Sequence, residues 1–134
     1  MHVSPYLNFN GQCEEAFAFY AKTFAGELAA LMRWDDMPGG NTAQGMDRKI
    51  MHAHLKVGAT AILGSDAPPE RYTKPAGFGV TLDVDSNEEA ERIFEALSDG
   101  GTATMAMGET FFAHRFGMVT DRFGIPWMIV YGKD

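Results

Sequence analysis

In "NGQCEEAFAFYAKTFAG" (residues 10–26) Phe17, Tyr20, Ala21 and Phe24 recur along one helical stripe. That spacing predicts an amphipathic helix begun at Asn10 or Gly11 and stopped by Gly26. A second stretch, "SNEEAERIFEALSDG" (residues 86–100), sets Ala90, Ile93, Phe94 and Leu97 on the same kind of stripe, and Ser86 and Glu89 stand at capping-box spacing. Displacing the chain by 74 positions, from 14 to 88, lays Glu14-Glu15-Ala16 on Glu88-Glu89-Ala90, Tyr20 on Phe94 and Gly26 on Gly100.

The surroundings of the two helices repeat as well. Each helix follows a strand-like run, "VSPYLNF" (3–9) or "FGVTLDVD" (78–85), and precedes three more. In the first half these are "ELAALMRW" (27–34) and a hairpin about Gly58 made of "KIMHAHLKV" (49–57) and "TAILGS" (60–65). In the second they are "TATMAMGET" (102–110), "HRFGMVTD" (114–121) and "IPWMIVY" (125–131), the last pair turning at "DRFG". Residues 35–48 lack periodicity and contain "PGGN", which predicts a long mobile loop. The order strand, helix, three strands, met twice, predicts an α+β fold. It is one domain over 1–134, made of two βαβββ modules, 1–66 and 77–134, that pack across a shared sheet, with a Pro-rich connector at 67–76.

Composition narrows the function classes. The chain has 134 residues, of which 46% are hydrophobic and 22% charged, the balance of a soluble globular domain. A net charge of −7 with scattered Lys and Arg argues against nucleic acid and acidic membrane surfaces as partners. The single cysteine, Cys13, excludes an intrachain disulfide, and its neighbours Glu14 and Glu15 disfavour a thiolate, so it reads as a helix-face residue. The N-terminus lacks a basic region followed by a long apolar run, and "WMIVY" is too short to span a bilayer, which together predict a cytoplasmic protein.

Within the strand "KIMHAHLKV", His52 and His54 are one residue apart. An extended chain alternates faces and rises about 3.3 Å per residue, so the two imidazoles share a face about 7 Å apart, as metal ligands or as pocket lining. Alternation also assigns faces elsewhere. Leu7 and Phe9 meet the helix and leave Ser4, Tyr6 and Asn8 on the other side, while Val80, Leu82 and Val84 leave Gly79, Thr81 and Asp83. Pro126, Met128 and Val130 oppose Trp127 and Ile129. Met105, Met107, Met118 and Met128 suit core filling or an adaptable apolar pocket. Asp121 and Gly124 shape a turn, Asp35 and Asp36 belong to a solvated loop, and His2 is inert at the chain end.

The blocks "SPYLNFNGQCEEAFAFYAKTFAGEL", "LMRWDDMP", "IMHAHLKVGATAILGSD" and "RFGMVTDRFGIPWMI" resemble the PhnB-like proteins, catalogued as 3-demethylubiquinone-9 3-methyltransferase domains. These form a branch of the vicinal oxygen chelate superfamily, which includes glyoxalase I, bleomycin and fosfomycin resistance proteins and extradiol dioxygenases. The resemblance implies a curved mixed sheet around a concave pocket, and a homodimer. In metal-using relatives the ligands come from the first and last strands of each module. The corresponding positions here are Ser4 or Tyr6, Leu63, Gly79 and Met128, a poor donor set, so no metal or other cofactor is expected. The chain also lacks the glycine-rich strand-to-helix turn that cradles S-adenosylmethionine, so the methyltransferase label has no mechanistic support in the residues.

The first functional reading is therefore a metal-independent small-molecule-binding protein. Its pocket is lined by Tyr6, Asn8, His52, His54, Thr81, Asp83 and Met128, with His114 and Arg115 at the rim; drug sequestration of the resistance type is one form of it. The second is a metal-dependent lyase, isomerase or oxygenase with a relocated site at His52 and His54, completed by Tyr6, Asp83, Glu109 or His114. The third is an interaction protein with a vestigial pocket.

Overall fold

The computed structural model describes residues 1–36 and 45–134. The centre of the expected 35–48 loop, residues 37–44, lies outside the described residues. The chain forms two compact units, Met1–Thr73 and Lys74–Asp134. The first holds β1 (Tyr6–Phe9), α1 (Cys13–Thr23), β2 (Glu27–Arg33), β3 (Ile50–Val57) and β4 (Thr60–Asp66). The second holds β5 (Val80–Asp83), α2 (Asn87–Ser98), β6 (Thr102–Gly108), β7 (Ala113–Thr120) and β8 (Pro126–Gly132). Both units are βαβββ, as the internal repeat predicts. Each owns a four-stranded mixed sheet, ordered β1-β4-β3-β2 in one and β5-β8-β7-β6 in the other.

The opening strand is shorter than the alternation of residues 3–9 suggests. Pro5 has no N–H for a ladder, so β1 starts at Tyr6 and Ser4 falls before it, although the Pro5 carbonyl still accepts from Leu63 N at 3.0 Å. β1 then runs parallel to β4, in the register Tyr6 with Leu63 and Phe9 with Asp66. The hairpin turns at Gly58 as expected, pairing Val57 with Thr60. Part of the expected loop is well built: Trp34–Asp36 form a 3-10 turn, Trp34 N and Asp35 N donate to Lys49 O and Asp47 O, and Met46 is buried.

Helix α1 begins at Cys13, with Gln12 at the cap position but no side-chain cap of its own. The cap comes from across the unit. Buried Asp66, at the end of β4, accepts from Cys13 N through Oδ1 and from Ile50 N through Oδ2, each at 2.9 Å. One carboxylate thus satisfies an orphan N–H at the positive end of α1 and the first amide of β3. Helix α2 carries its own cap, since Glu89 N donates to Ser86 Oγ at 3.0 Å. The reciprocal arm is displaced by one residue, because Glu89 Oε1 accepts from Asp85 N rather than from Ser86 N.

Each helix seals one face of its own sheet. In the first unit Phe17 and Tyr20 pack with Phe9, Leu7, Leu55 and Ile62, all buried, and the Phe9–Phe17 and Phe17–Tyr20 rings meet edge-on at 6.0 and 5.9 Å. Burial of such side chains contributes about 1.5–3 kcal/mol apiece. In the second unit Ile93 and Leu97 are buried, as are Val119, Trp127 and Ile129 of the sheet. Two glycines let helix and sheet approach closely. A Cβ at Gly64 would lie 2.7 Å from Phe17 Cε1, and one at Gly117 would lie 2.9 Å from Phe94 Cε1. The β7–β8 turn is organised by Asp121, whose Oδ1 accepts from Phe123 N and Ile125 N and whose Oδ2 accepts from Trp127 Nε1 at 2.8 Å.

Candidate functional site

Because Leu7, Phe9, Ala53, Leu55, Ile62 and Gly64 face α1, their alternating neighbours face away from it. The register of the first sheet then builds a cross-strand row: Tyr6 of β1 opposes Leu63 of β4, Leu63 opposes His54 of β3, and His54 opposes Ala30 of β2. Beside it, Asn8 pairs with Ser65 and His52 with Met32. Tyr6, Asn8, His52 and His54 therefore share one face, with both imidazoles half-buried and Tyr6 exposed. Tyr6 and His54 are two strands apart, about 10 Å between backbones at ordinary strand spacing, so a molecule bridging them would lie over Leu63.

The second sheet has a matching row of different chemistry. Thr81 of β5 opposes Met128 of β8, Met128 opposes Met118 of β7, and Met118 opposes Met105 of β6. Gly117 faces Phe94 of α2, so Met118 and its row face away from the helix. The adjacent row is Asp83, Val130 and Phe116. Gly79 joins this face too, since a Cβ there would lie 3.2 Å from Met128 Sδ. The methionines thus divide by role. Met107 approaches Gly117 and Phe94 on the helix side, whereas Met105, Met118 and Met128 line the open side.

A family model described as 3-demethylubiquinone-9 3-methyltransferase matches residues 1–130. The chain belongs to this family. It is the PhnB-like family that the sequence blocks resemble. Protein YjdN of Escherichia coli is 41% identical, with 96% of this chain and 94% of that protein covered. The crystal structure of PA1353 from Pseudomonas aeruginosa is 45% identical, covers 100% of this chain and 99% of its own, and has a TM-score of 0.92. The PhnB protein from Bacillus cereus has a TM-score of 0.83 at 22% identity, over 98% and 99% of the two chains. A glyoxylase/bleomycin resistance protein/dioxygenase domain from Frankia shares the fold at 16% identity and a TM-score of 0.63, over 98% and 95%.

The PhnB-like fold makes the metal question concrete. The positions that the sequence resemblance assigns to metal ligands pair within each unit, Tyr6 with Leu63 in the first and Gly79 against Met128 in the second. They supply one phenol, an aliphatic chain, no side chain and a thioether. That set does not fit a hard or borderline divalent ion, which needs several oxygen, nitrogen or thiolate donors. Nor do the histidines gather a further donor: among the described residues no three His, Cys, Asp or Glu side chains are placed to share an ion. Of the other donors weighed for a relocated site, Glu109 pairs with Lys133 Nζ at 2.7 Å, which holds its carboxyl below the usual carboxylate range. The His114 ring meets the Tyr131 ring at a tilt of 41°, 4.9 Å between centroids.

The two rim candidates of this PhnB-like chain part company. His114 is exposed, whereas Arg115 donates through Nε to Glu91 Oε2 of α2 at 3.1 Å and through Nη1 to its neighbour's carbonyl, on the helix side of the sheet. Asp35 and Asp36 hold their turn: Asp36 Oδ2 accepts from Arg33 N at 2.8 Å and Asp35 pairs with Arg48 at 3.3 Å. Cys13 is buried, and that burial, with Asp66 and Glu14 nearby, pushes its thiol far up, so Cys13 is not a nucleophile.

Sequence reasoning missed Met32 as a companion of the candidate residues, and left Met105 and Met118 between core and pocket. Strand alternation alone would have put Met118 opposite Gly117 and Val119; cross-strand neighbours such as Met32 and His52 need the register. A depression of about 640 Å³ on the outer side of α2, at Arg92, Glu95 and Asp99, contains none of the candidate residues.

Proposed function

We propose that this PhnB-like protein binds a small apolar or aromatic molecule on the sheet faces turned away from its helices, without a resident metal. The observation that carries the reading is the pair of rows Tyr6–Leu63–His54 and Thr81–Met128–Met118. Each presents apolar side chains beside a few hydrogen-bonding groups on the face its helix leaves free. On the first sheet Leu63 provides contact area beside the polar groups of Tyr6, Asn8, His52 and His54; on the second the pliable thioethers do so beside Thr81 and Asp83. A donor set ill-suited to a divalent ion favours binding over metal-assisted chemistry. Likeness to glyoxylase, bleomycin resistance and dioxygenase domains supports a ligand pocket by fold alone, and drug sequestration is one form it can take. The binding unit is a homodimer, in line with the pairing common in this superfamily.

The test joins elemental analysis of the protein as isolated with a thermal-shift screen of aromatic compounds. The expected result is no stoichiometric metal and a ligand-dependent rise in Tm that His52→Ala/His54→Ala reduces. Near-stoichiometric zinc, nickel, manganese or iron that falls in the double mutant would instead place a relocated metal site at the histidines. A melting curve blind to every compound, in metal-free protein, would sink the binding reading.

A further inference from the structure

Strand β3 carries a basic row on the face turned away from α1. His52, His54 and Lys56 follow one another at two-residue steps, and Lys56 stands at the hairpin end, opposite Ala61 of β4 and Glu27 of β2. Exposed Lys56 makes no ion pair among the described residues, not even with Glu27. At this end of the sheet lies a depression of about 510 Å³, closed on one side by residues 1–4. Its ionisable side chains are His2, His54 and Lys56, and no carboxylate lines it, although the chain as a whole has a net charge of −7. Ser4 adds a hydroxyl, whereas the Thr60 hydroxyl is already bound to Val57 O at 2.8 Å.

We propose that this depression is an oxyanion subsite, in which Lys56 and His54 hold the phosphate, phosphonate or carboxylate end of a small ligand while His2 and Ser4 close over it. The Lys56 ammonium disfavours a metal ion and attracts an oxyanion, whose several acceptors match one Lys, two ring N–H groups and a hydroxyl. The lining supplies no carboxylate, and Glu27, opposite Lys56 on β2, stands outside it, so the local charge favours an anion over a cation. The volume exceeds that of a bare tetrahedral anion and lies within the range of small-ligand sites, so the anion is one end of a larger molecule. The inference deepens the binding reading at His54, but it stands on Lys56, His2 and charge rather than on the apolar rows.

The test titrates inorganic phosphate into the full chain at low ionic strength, with sodium chloride at matched ionic strength as control, and follows the His2 and His54 ring resonances. Saturable shifts absent from the chloride control are expected. Affinity should weaken about fivefold in Lys56→Gln, the worth of one cation–anion contact at ~4 Å in a water-like dielectric. His54→Gln gives a second variant that retains a donor, and should weaken binding without abolishing it. Shifts that never saturate, that chloride reproduces, or that Lys56→Gln leaves unchanged overturn the proposal. A neutral aromatic compound assayed in parallel reports on the apolar rows alone, so the two readings fail separately.

Discussion

Replacing Asp66 by alanine tests the argument that ties helix, sheet and site together. Its two carboxylate oxygens are the acceptors for Cys13 N and Ile50 N, both bonds are buried, and the side chain is 1% exposed. Alanine leaves two buried N–H groups unsatisfied at about 1–3 kcal/mol each, and removes a negative charge from the N-terminus of α1, worth about 0.3–1 kcal/mol. The expected loss is therefore about 3–5 kcal/mol, a large share of the 5–15 kcal/mol typical of a domain. Urea unfolding followed by tryptophan fluorescence and far-ultraviolet circular dichroism measures it, with a lower midpoint and an unchanged slope. Asp66→Asn should fall between, because the amide keeps one acceptor oxygen and turns its own N–H groups toward the other donor. In both variants the amides of Cys13 and Ile50 should exchange faster. A loss below about 1 kcal/mol in the alanine variant would refute the reasoning, since neither amide could then depend on the carboxylate.

Three further outcomes follow from the same structure. Ala25 closes α1 with φ 53°, a left-handed conformation that costs a non-glycine residue about 1–2 kcal/mol, so Ala25→Gly should raise Tm by about 2–5 °C in calorimetry after the flexibility it adds to the unfolded chain is discounted. Cys13 should resist alkylation at pH 8 in the native protein and react fully in denaturant, because burial keeps the thiol protonated. The Glu14 carboxyl accepts two bonds from Arg33, at 3.0 and 2.8 Å, which hold it below its ordinary 4.5. Its contribution is present above the ordinary carboxylate range and is lost as pH falls through the lowered value; an NMR titration should show the low midpoint, and Arg33→Gln should raise it toward the ordinary range.

Much of this fold is legible because periodicity is a local property. The stripes of α1 and α2, the hairpin at Gly58, the turn at Asp121 and the doubled strand-helix-strand order are all written in residues a few positions apart. The mismatches occur where one residue overrides a pattern. Pro5 delays β1 despite good alternation, and Thr110 Oγ1, by accepting from Phe112 N and Ala113 N, ends the strand expected over 102–110 at Gly108. The candidate site was half legible for the same reason. That His52 and His54 share a face follows from a period of two, as does the exclusion of Leu7 and Phe9 from that face.

What the sequence by itself determined is which residues a strand turns toward its helix and which it turns away, because alternation and helical spacing depend only on backbone geometry. Only the tertiary structure decided which of them become neighbours. Tyr6 shares a row with His54 through Leu63, and Met128 with Met105 through Met118, so that registers bring into one row residues 48 and 23 positions apart in the chain. Asp66 caps a helix 53 residues away, and Arg115 turns to Glu91 rather than to the open face. Such pairings are set by how whole elements pack and by which buried polar groups must be satisfied together, and no window of sequence contains both partners.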